Sequence, residues 1–77
     1  MKIKVDLQAY LEQYSPDGQQ AFEYELPEGA FVRDLVTRLG IPGDLASIII
    51  VGNTNATPSH PLTEGDRVTL IPPLAGG

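Results

Sequence analysis

The sequence closes on Arg67-Val68-Thr69-Leu70-Ile71-Pro72-Pro73-Leu74-Ala75-Gly76-Gly77. Arg67 to Ile71 has the β-branched, half-apolar make-up of a strand. Pro72 and Pro73 stop it, because neither can donate a ladder hydrogen bond and both hold the backbone extended. The four residues that follow have almost no side chain to pack, which predicts a flexible tail over 72–77 on a domain spanning 1–71. Fully extended, that tail reaches roughly 20 Å. Glycine has no Cβ, so Gly76 and Gly77 fit a channel too narrow for other residues. The group they present is the Gly77 α-carboxylate, ionised at neutral pH and unreactive until something activates it.

Working back from that strand, Glu64-Gly65-Asp66 is a turn that feeds it, and His60-Pro61-Leu62-Thr63 reads as a very short edge strand. The segment from Gly52 to Pro58 reads as a loop. Ser47-Ile48-Ile49-Ile50-Val51 lacks polar alternation, which predicts a strand covered on both faces. Further back, Val32, Leu35, Val36 and Leu39 fall at i, i+3, i+4 and i+7, the stripe of a short helix. Gly40 is placed to cap it and Pro42 prevents its resumption.

Near the start, Lys2 to Gln8 alternates, with Ile3, Val5 and Leu7 on one face and Lys2, Lys4 and Asp6 on the other. Gln20 to Leu26 alternates again, with Phe22, Tyr24 and Leu26 together. Ser15-Pro16-Asp17-Gly18 between them is a turn signal, so the pair reads as an antiparallel hairpin with a long loop. Tyr10 to Tyr14 suits either a continued strand or the start of the connection. The order strand, strand, helix, strand, short strand, strand specifies an α+β domain: a mixed sheet of four to five strands with one main helix across a face. The first and last strands can lie parallel in the middle, joined by a right-handed crossover.

Length and charge limit what such a domain can do. Seventy-seven residues make one small core, and a chain of this size hides only about 60% of its unfolded surface. A buried catalytic pocket is hard to build at that scale, which favours binding or carrying. Ten acidic residues against five basic ones leave a net charge of −5. The cations (Lys2, Lys4, Arg33, Arg38, Arg67) form no run, which disfavours nucleic acid and anionic membranes as partners. With no cysteine there is neither a disulfide framework nor a thiolate metal site. Met1 leads straight into a strand without an apolar leader, so the expectation is a cytoplasmic protein.

Other chemistry finds little support. His60 is the only histidine, it sits beside prolines, and a solvated loop residue is expected. No cluster has metal-ligand spacing, and no glycine-rich phosphate loop occurs. Ser15, Ser47 and Ser59 lack any nucleophile-elbow context. The pairs Glu23/Glu25 and Glu12/Asp17 read as an exposed strand face and a loop. The tail exit is more informative, because Ile71, Pro72, Pro73 and Leu74 cannot all be buried in so small a core. Either they form an apolar collar for a partner, or Ile71 merely completes the core. Arg67 pairs with a partner carboxylate or with its neighbour Asp66.

The ending Gly65-Asp66-Arg67-Val68 followed by Pro72-Pro73-Leu74-Ala75-Gly76-Gly77 resembles the MoaD/ThiS family of ubiquitin-like sulfur carriers. It is most similar to the small subunit of molybdopterin synthase, since ThiS-like tails usually lack the double proline. The resemblance spans the chain and implies the β-grasp fold of ubiquitin. It departs from the family at Phe31, where a Thr or Ser usually caps the helix, a loss of about 1 kcal/mol. It further implies that Gly77 is the reactive residue, with Ala75 and Gly76 as the inserted tail and Arg67, Ile71, Pro72, Pro73 and Leu74 as the partner-binding set. An E1-like adenylyltransferase of the MoeB or ThiF type would activate the carboxylate with Mg-ATP, and a persulfide donor would supply sulfur as a thiocarboxylate. A MoaE-type large subunit would then receive it. The chain would bind no cofactor or metal and catalyse nothing alone. A carrier for thiamine or cysteine synthesis, a protein modifier, or a ubiquitin-like interaction module without conjugation are the alternatives.

Overall fold

Strict alternation produces the first strand: over Lys2–Leu7 (β1), Ile3, Val5 and Leu7 are buried while Lys2 and Lys4 face solvent. The computed structural model describes residues 1–73. Ala21–Glu25 (β2) pairs antiparallel with β1, setting Tyr24 opposite Ile3 and Phe22 opposite Val5. Both rings therefore lie on the buried side of β1, edge to face with centroids 6.2 Å apart. Between the strands, Ala9–Tyr14 is a 3₁₀ helix that buries Leu11, which settles the ambiguous Tyr10–Tyr14 segment as a connection. Asp17 then ties the turn, its Oδ1 accepting from Ser15 Oγ (2.8 Å) and the Gln19 N–H (3.0 Å).

The helix α1 spans Val32–Leu39 and buries Val32, Leu35 and Val36. Its missing hydroxyl cap is replaced from three directions. The Asp34 carboxylate accepts the Phe31 N–H at 2.7 Å, the return half of a capping box whose other half a phenylalanine cannot make. The otherwise orphaned N–H groups of Val32 and Arg33 donate to the carbonyls of His60 (3.0 Å) and Pro58 (2.8 Å). The Arg33 guanidinium lies 4.6 Å from the Phe31 ring centroid, a cation–π contact. At the other end Gly40 takes φ 76, and the N–H groups of Gly40 and Ile41 reach Thr37 and Val36, closing a Schellman motif over buried Ile41.

Ile48–Val51 (β3), Thr54–Ala56 (β4) and Arg67–Ile71 (β5) complete a five-stranded sheet in the order β2-β1-β5-β3-β4. β1 and β5 run parallel, with Val5 beside Val68 and Leu7 beside Leu70, and β3 is antiparallel to β5. One helix across a mixed sheet with parallel first and last strands at its centre is the β-grasp fold. The core gathers Ile3, Val5, Leu7, Ile49, Val68 and Leu70 from the sheet under Val32 and Leu35.

Three expectations are corrected. The segment after β3 is a hairpin: Gly52, at φ 64, and Asn53 reverse the chain so that Thr54 pairs with Val51. A glycine at the first of two loop positions suits a type II′ turn, which matches strand twist. The short edge strand is thus Thr54–Ala56, whereas 60–63 contributes a single bridge, Pro61 to Phe31. Finally, β3 is covered on one face only. Ile49 is buried, but Ile48 is 44% exposed, because the single helix covers one side of the sheet.

Candidate functional site at the exit of the last strand

β5 is held along its length before it releases the chain. At its start the Lys4 N–H donates to the Asp66 carbonyl (2.8 Å) and the Gly52 N–H to the Arg67 carbonyl (2.9 Å). At its end the Gln8 N–H donates to the Leu70 carbonyl at 3.0 Å, and Ile71 pairs with Ile48. The prolines then end the ladder, as their missing N–H groups dictate. They are not equivalent. Pro72 is buried in the body and Pro73 is exposed. Leu74, Ala75, Gly76 and Gly77, which carry the predicted tail chemistry, lie outside the described residues.

Alternation along β5 sends Val68 and Leu70 into the core and Arg67, Thr69 and Ile71 to the opposite, helix-free face. Ile71 is half-buried there, beside Ile48, and does not lie with the core residues beneath α1. Ile50 stands next along β3 on the same face, opposite Thr69. At the same end, the connection leaving β1 carries Tyr10, 46% exposed. Tyr10 and Ile48 are the two exposed large hydrophobic residues among those described, and they follow or begin the two strands that flank β5. The apolar surface left bare thus gathers at the end of the sheet where the chain departs.

The alternative for Arg67 resolves against its neighbour. Asp66 Oδ2 accepts the Thr63 N–H at 2.8 Å, and no ion pair joins it to Arg67 among the described residues. Glu23 and Glu25 are exposed, and they face Lys2 Nζ (4.0 Å) and the Met1 ammonium (3.4 Å) respectively. Glu28 also approaches that ammonium, at 3.3 Å. His60, expected to be solvated, is half-buried, and what it gives the fold is the carbonyl that caps α1. No group of His, Cys, Asp or Glu among the described residues is placed to hold a metal. No helix among them is long and apolar enough to cross a membrane.

Ile48 and Tyr10 were not singled out by sequence. For Ile48 the sequence holds half a signal: a strand in a sheet with a single helix has one face left uncovered, but the unbroken run Ile48-Ile49-Ile50 does not say which. Tyr10 gave no such signal, because its placement depends on the 3₁₀ turn.

The family model for the ThiS family matches residues 7–77. No curated protein matches the chain. Among solved structures, a candidate molybdopterin converting factor subunit 1 from Pyrococcus furiosus is 30% identical, with 95% of this chain and 98% of that one covered at a TM-score of 0.74. SAMP1 from Haloferax volcanii superposes over 100% of both chains at a TM-score of 0.75 and 20% identity, a likeness of fold. A similar likeness, at a TM-score of 0.61 and 20% identity over 100% of both chains, is found in the complex of subunits 1 and 2 of molybdopterin-converting factor from Helicobacter pylori. The chain belongs to the ThiS family, within the ThiS/MoaD group of ubiquitin-like sulfur carriers.

Proposed function

We propose that the chain carries sulfur on the Gly77 carboxyl group for molybdopterin synthesis. The observation that carries this reading is the way β5 is locked on both sides up to Leu70 and Ile71 and then meets two prolines ahead of Leu74-Ala75-Gly76-Gly77. The last strand lies at the centre of the sheet, paired on both sides, immediately before the C-terminal residues. The two glycines let the terminal carboxylate enter an active site on another protein.

In the first step a Gly77 carboxylate oxygen attacks the α-phosphorus of Mg-ATP in an E1-like adenylating enzyme, and pyrophosphate leaves. The terminal sulfur of a persulfide then attacks the acyl carbon and AMP leaves. A thiol cleaves the resulting S–S bond, forming a disulfide and releasing a thiocarboxylate. The chain supplies the carboxyl group and its placement, and the catalytic groups belong to partners. Ile71, Ile48, Tyr10 and Pro73 form the apolar surface on which such a partner docks.

The molybdopterin branch is supported by Pro72-Pro73 and by the likeness to the Pyrococcus furiosus subunit. A MoaE-type large subunit is the acceptor on this reading, as subunit 2 accompanies subunit 1 in the Helicobacter pylori complex. ATP–pyrophosphate exchange tests the first step. The full chain should stimulate exchange by an E1-like enzyme of the same organism, and a chain lacking Gly77 should not. Equal stimulation by both would end the proposal.

A further inference from the structure

Lys4 and Arg67 are register partners on adjacent parallel strands, and both point away from the helix. Like charges placed directly side by side oppose folding, so the pairing calls for a reason. The surroundings supply one. Both residues line an open hollow of about 230 Å³ whose other walls are Val5, Asp6, Ala21, Phe22 and Glu23. Of the two carboxylates of that hollow, Glu23 stands opposite Lys4 across β1 and β2 but is not within ion-pair distance of it. Asp6 Oδ1 accepts from the side-chain amides of Gln8 (2.8 Å) and Gln20 (3.1 Å), and Glu23 faces Lys2 Nζ at 4.0 Å. Neither Lys4 nor Arg67 has a carboxylate within ion-pair distance among the described residues.

In a chain of net charge −5, the face that no helix covers is balanced, with Lys2, Lys4 and Arg67 matched by Asp6, Glu23 and Glu25, and its two adjacent cations are Lys4 and Arg67. Arg67 and Ile71 lie on the same side of the same strand, separated by roughly 13 Å. A partner resting on Ile71 and Ile48 therefore extends over the Lys4–Arg67 hollow.

We propose that this hollow is an anion-accepting subsite for an Asp or Glu side chain of the adenylating partner, the first protein the sulfur-carrier route requires the chain to meet. The inference rests on that route for the identity of the partner. The small side chain of Ala21 leaves the hollow open, and the Arg67 fork and Lys4 ammonium provide two cations for one carboxylate. The contact adds affinity and steers the partner onto the face beside β5, leaving the tail's chemistry unaltered.

The test compares the parent chain with Arg67→Glu and Lys4→Gln, measuring affinity for the E1-like enzyme of the same organism by calorimetry at low and high salt. Arg67→Glu converts a like-charge pair into an opposite-charge one, so its melting temperature should equal or exceed that of the parent. Its affinity should fall about tenfold or more at low salt, and that of Lys4→Gln severalfold. Exchanging an acidic residue of the enzyme for arginine at the matching position should recover the loss with Arg67→Glu. The exchange rate at saturating enzyme should not change, because the tail is intact. Unchanged affinity of Arg67→Glu at low salt, or a fall in the saturating rate, would overturn the subsite. If the parent chain binds the enzyme but stimulates no exchange, the sulfur-carrier reading fails while the binding comparison still stands.

Discussion

Ile48 and Ile71 pair across β3 and β5 on the face of the sheet that α1 leaves bare, at the point where β5 gives way to Pro72. An aliphatic pair in that position adds little to the core, because Ile48 remains 44% exposed. It is well placed to be covered by whatever receives the tail.

Ile48→Thr therefore separates docking from folding. Threonine keeps the β-branch that a strand favours. The change in stability should stay within about 0.5 kcal/mol, as for surface positions generally. Association with the adenylating enzyme should weaken by about 1–2 kcal/mol, roughly five- to thirty-fold, as for loss of an interface anchor. Calorimetric titration beside a thermal melt reads both quantities, and unchanged affinity would remove Ile48 from the interface.

The fold was legible wherever periodicity and chain punctuation agreed. The stripe Val32, Leu35, Val36 and Leu39 with Gly40 behind it gave α1, and two alternating segments gave the hairpin of β1 and β2. Parallel pairing of β1 with β5 followed from element order and crossover handedness. What stayed hidden depended on tertiary partners. Thr54-Asn55-Ala56 has weak strand character of its own and forms β4 because Gly52-Asn53 folds it against the edge of β3. Ala9 adopts φ 52, a conformation that alanine avoids, held between the backbone bonds of Gln8 to Leu70 and Leu11 to Gln8. An apolar run such as Ile48-Ile49-Ile50 cannot reveal which face stays bare. The expectation for Gly77 comes from the ending and its resemblance to the MoaD/ThiS family and lies outside the described residues, whereas the surface around the exit of β5 needed the sheet.

Asp34 supplies the one half of the capping box that the start of α1 retains. Asp34→Ala removes the acceptor of the Phe31 N–H and a negative charge from the first turn. We expect a loss of about 1 kcal/mol, lowering the melting temperature by about 4–8 °C in a domain of this size. Differential scanning calorimetry checks it. A melt indistinguishable from the parent would mean that the carbonyls of His60 and Pro58 suffice.

Two ends of the pH scale test different contacts. Hydrogen bonds from the Gln19 N–H and the Ser15 hydroxyl hold the Asp17 carboxyl below its ordinary value of about 3.8. Its contribution is present above that value and is lost as pH falls through the folded-state value. Desolvation works against the Met1 ammonium, but Glu28 and Glu25 outweigh it and raise its pKa above 8.0. That contribution is present below 8.0 and is lost as pH rises through the raised value. In urea titrations, Asp17→Asn should be less stable than the parent at neutral pH, with the gap closing in acid. Glu25→Gln/Glu28→Gln should narrow the gap in alkali instead. Gaps that do not vary with pH would contradict both assignments.

The central claim is that sulfur is carried on the terminal carboxyl group, and intact-mass analysis tests it most directly. The purified chain is incubated with an E1-like enzyme of the same organism, Mg-ATP, a persulfide donor and thiol. The account predicts a mass gain equal to replacement of one oxygen by sulfur, dependent on ATP and absent from a chain lacking Gly77. An unchanged mass under conditions where the enzyme thiocarboxylates another carrier, or the same gain in the chain without Gly77, would contradict it.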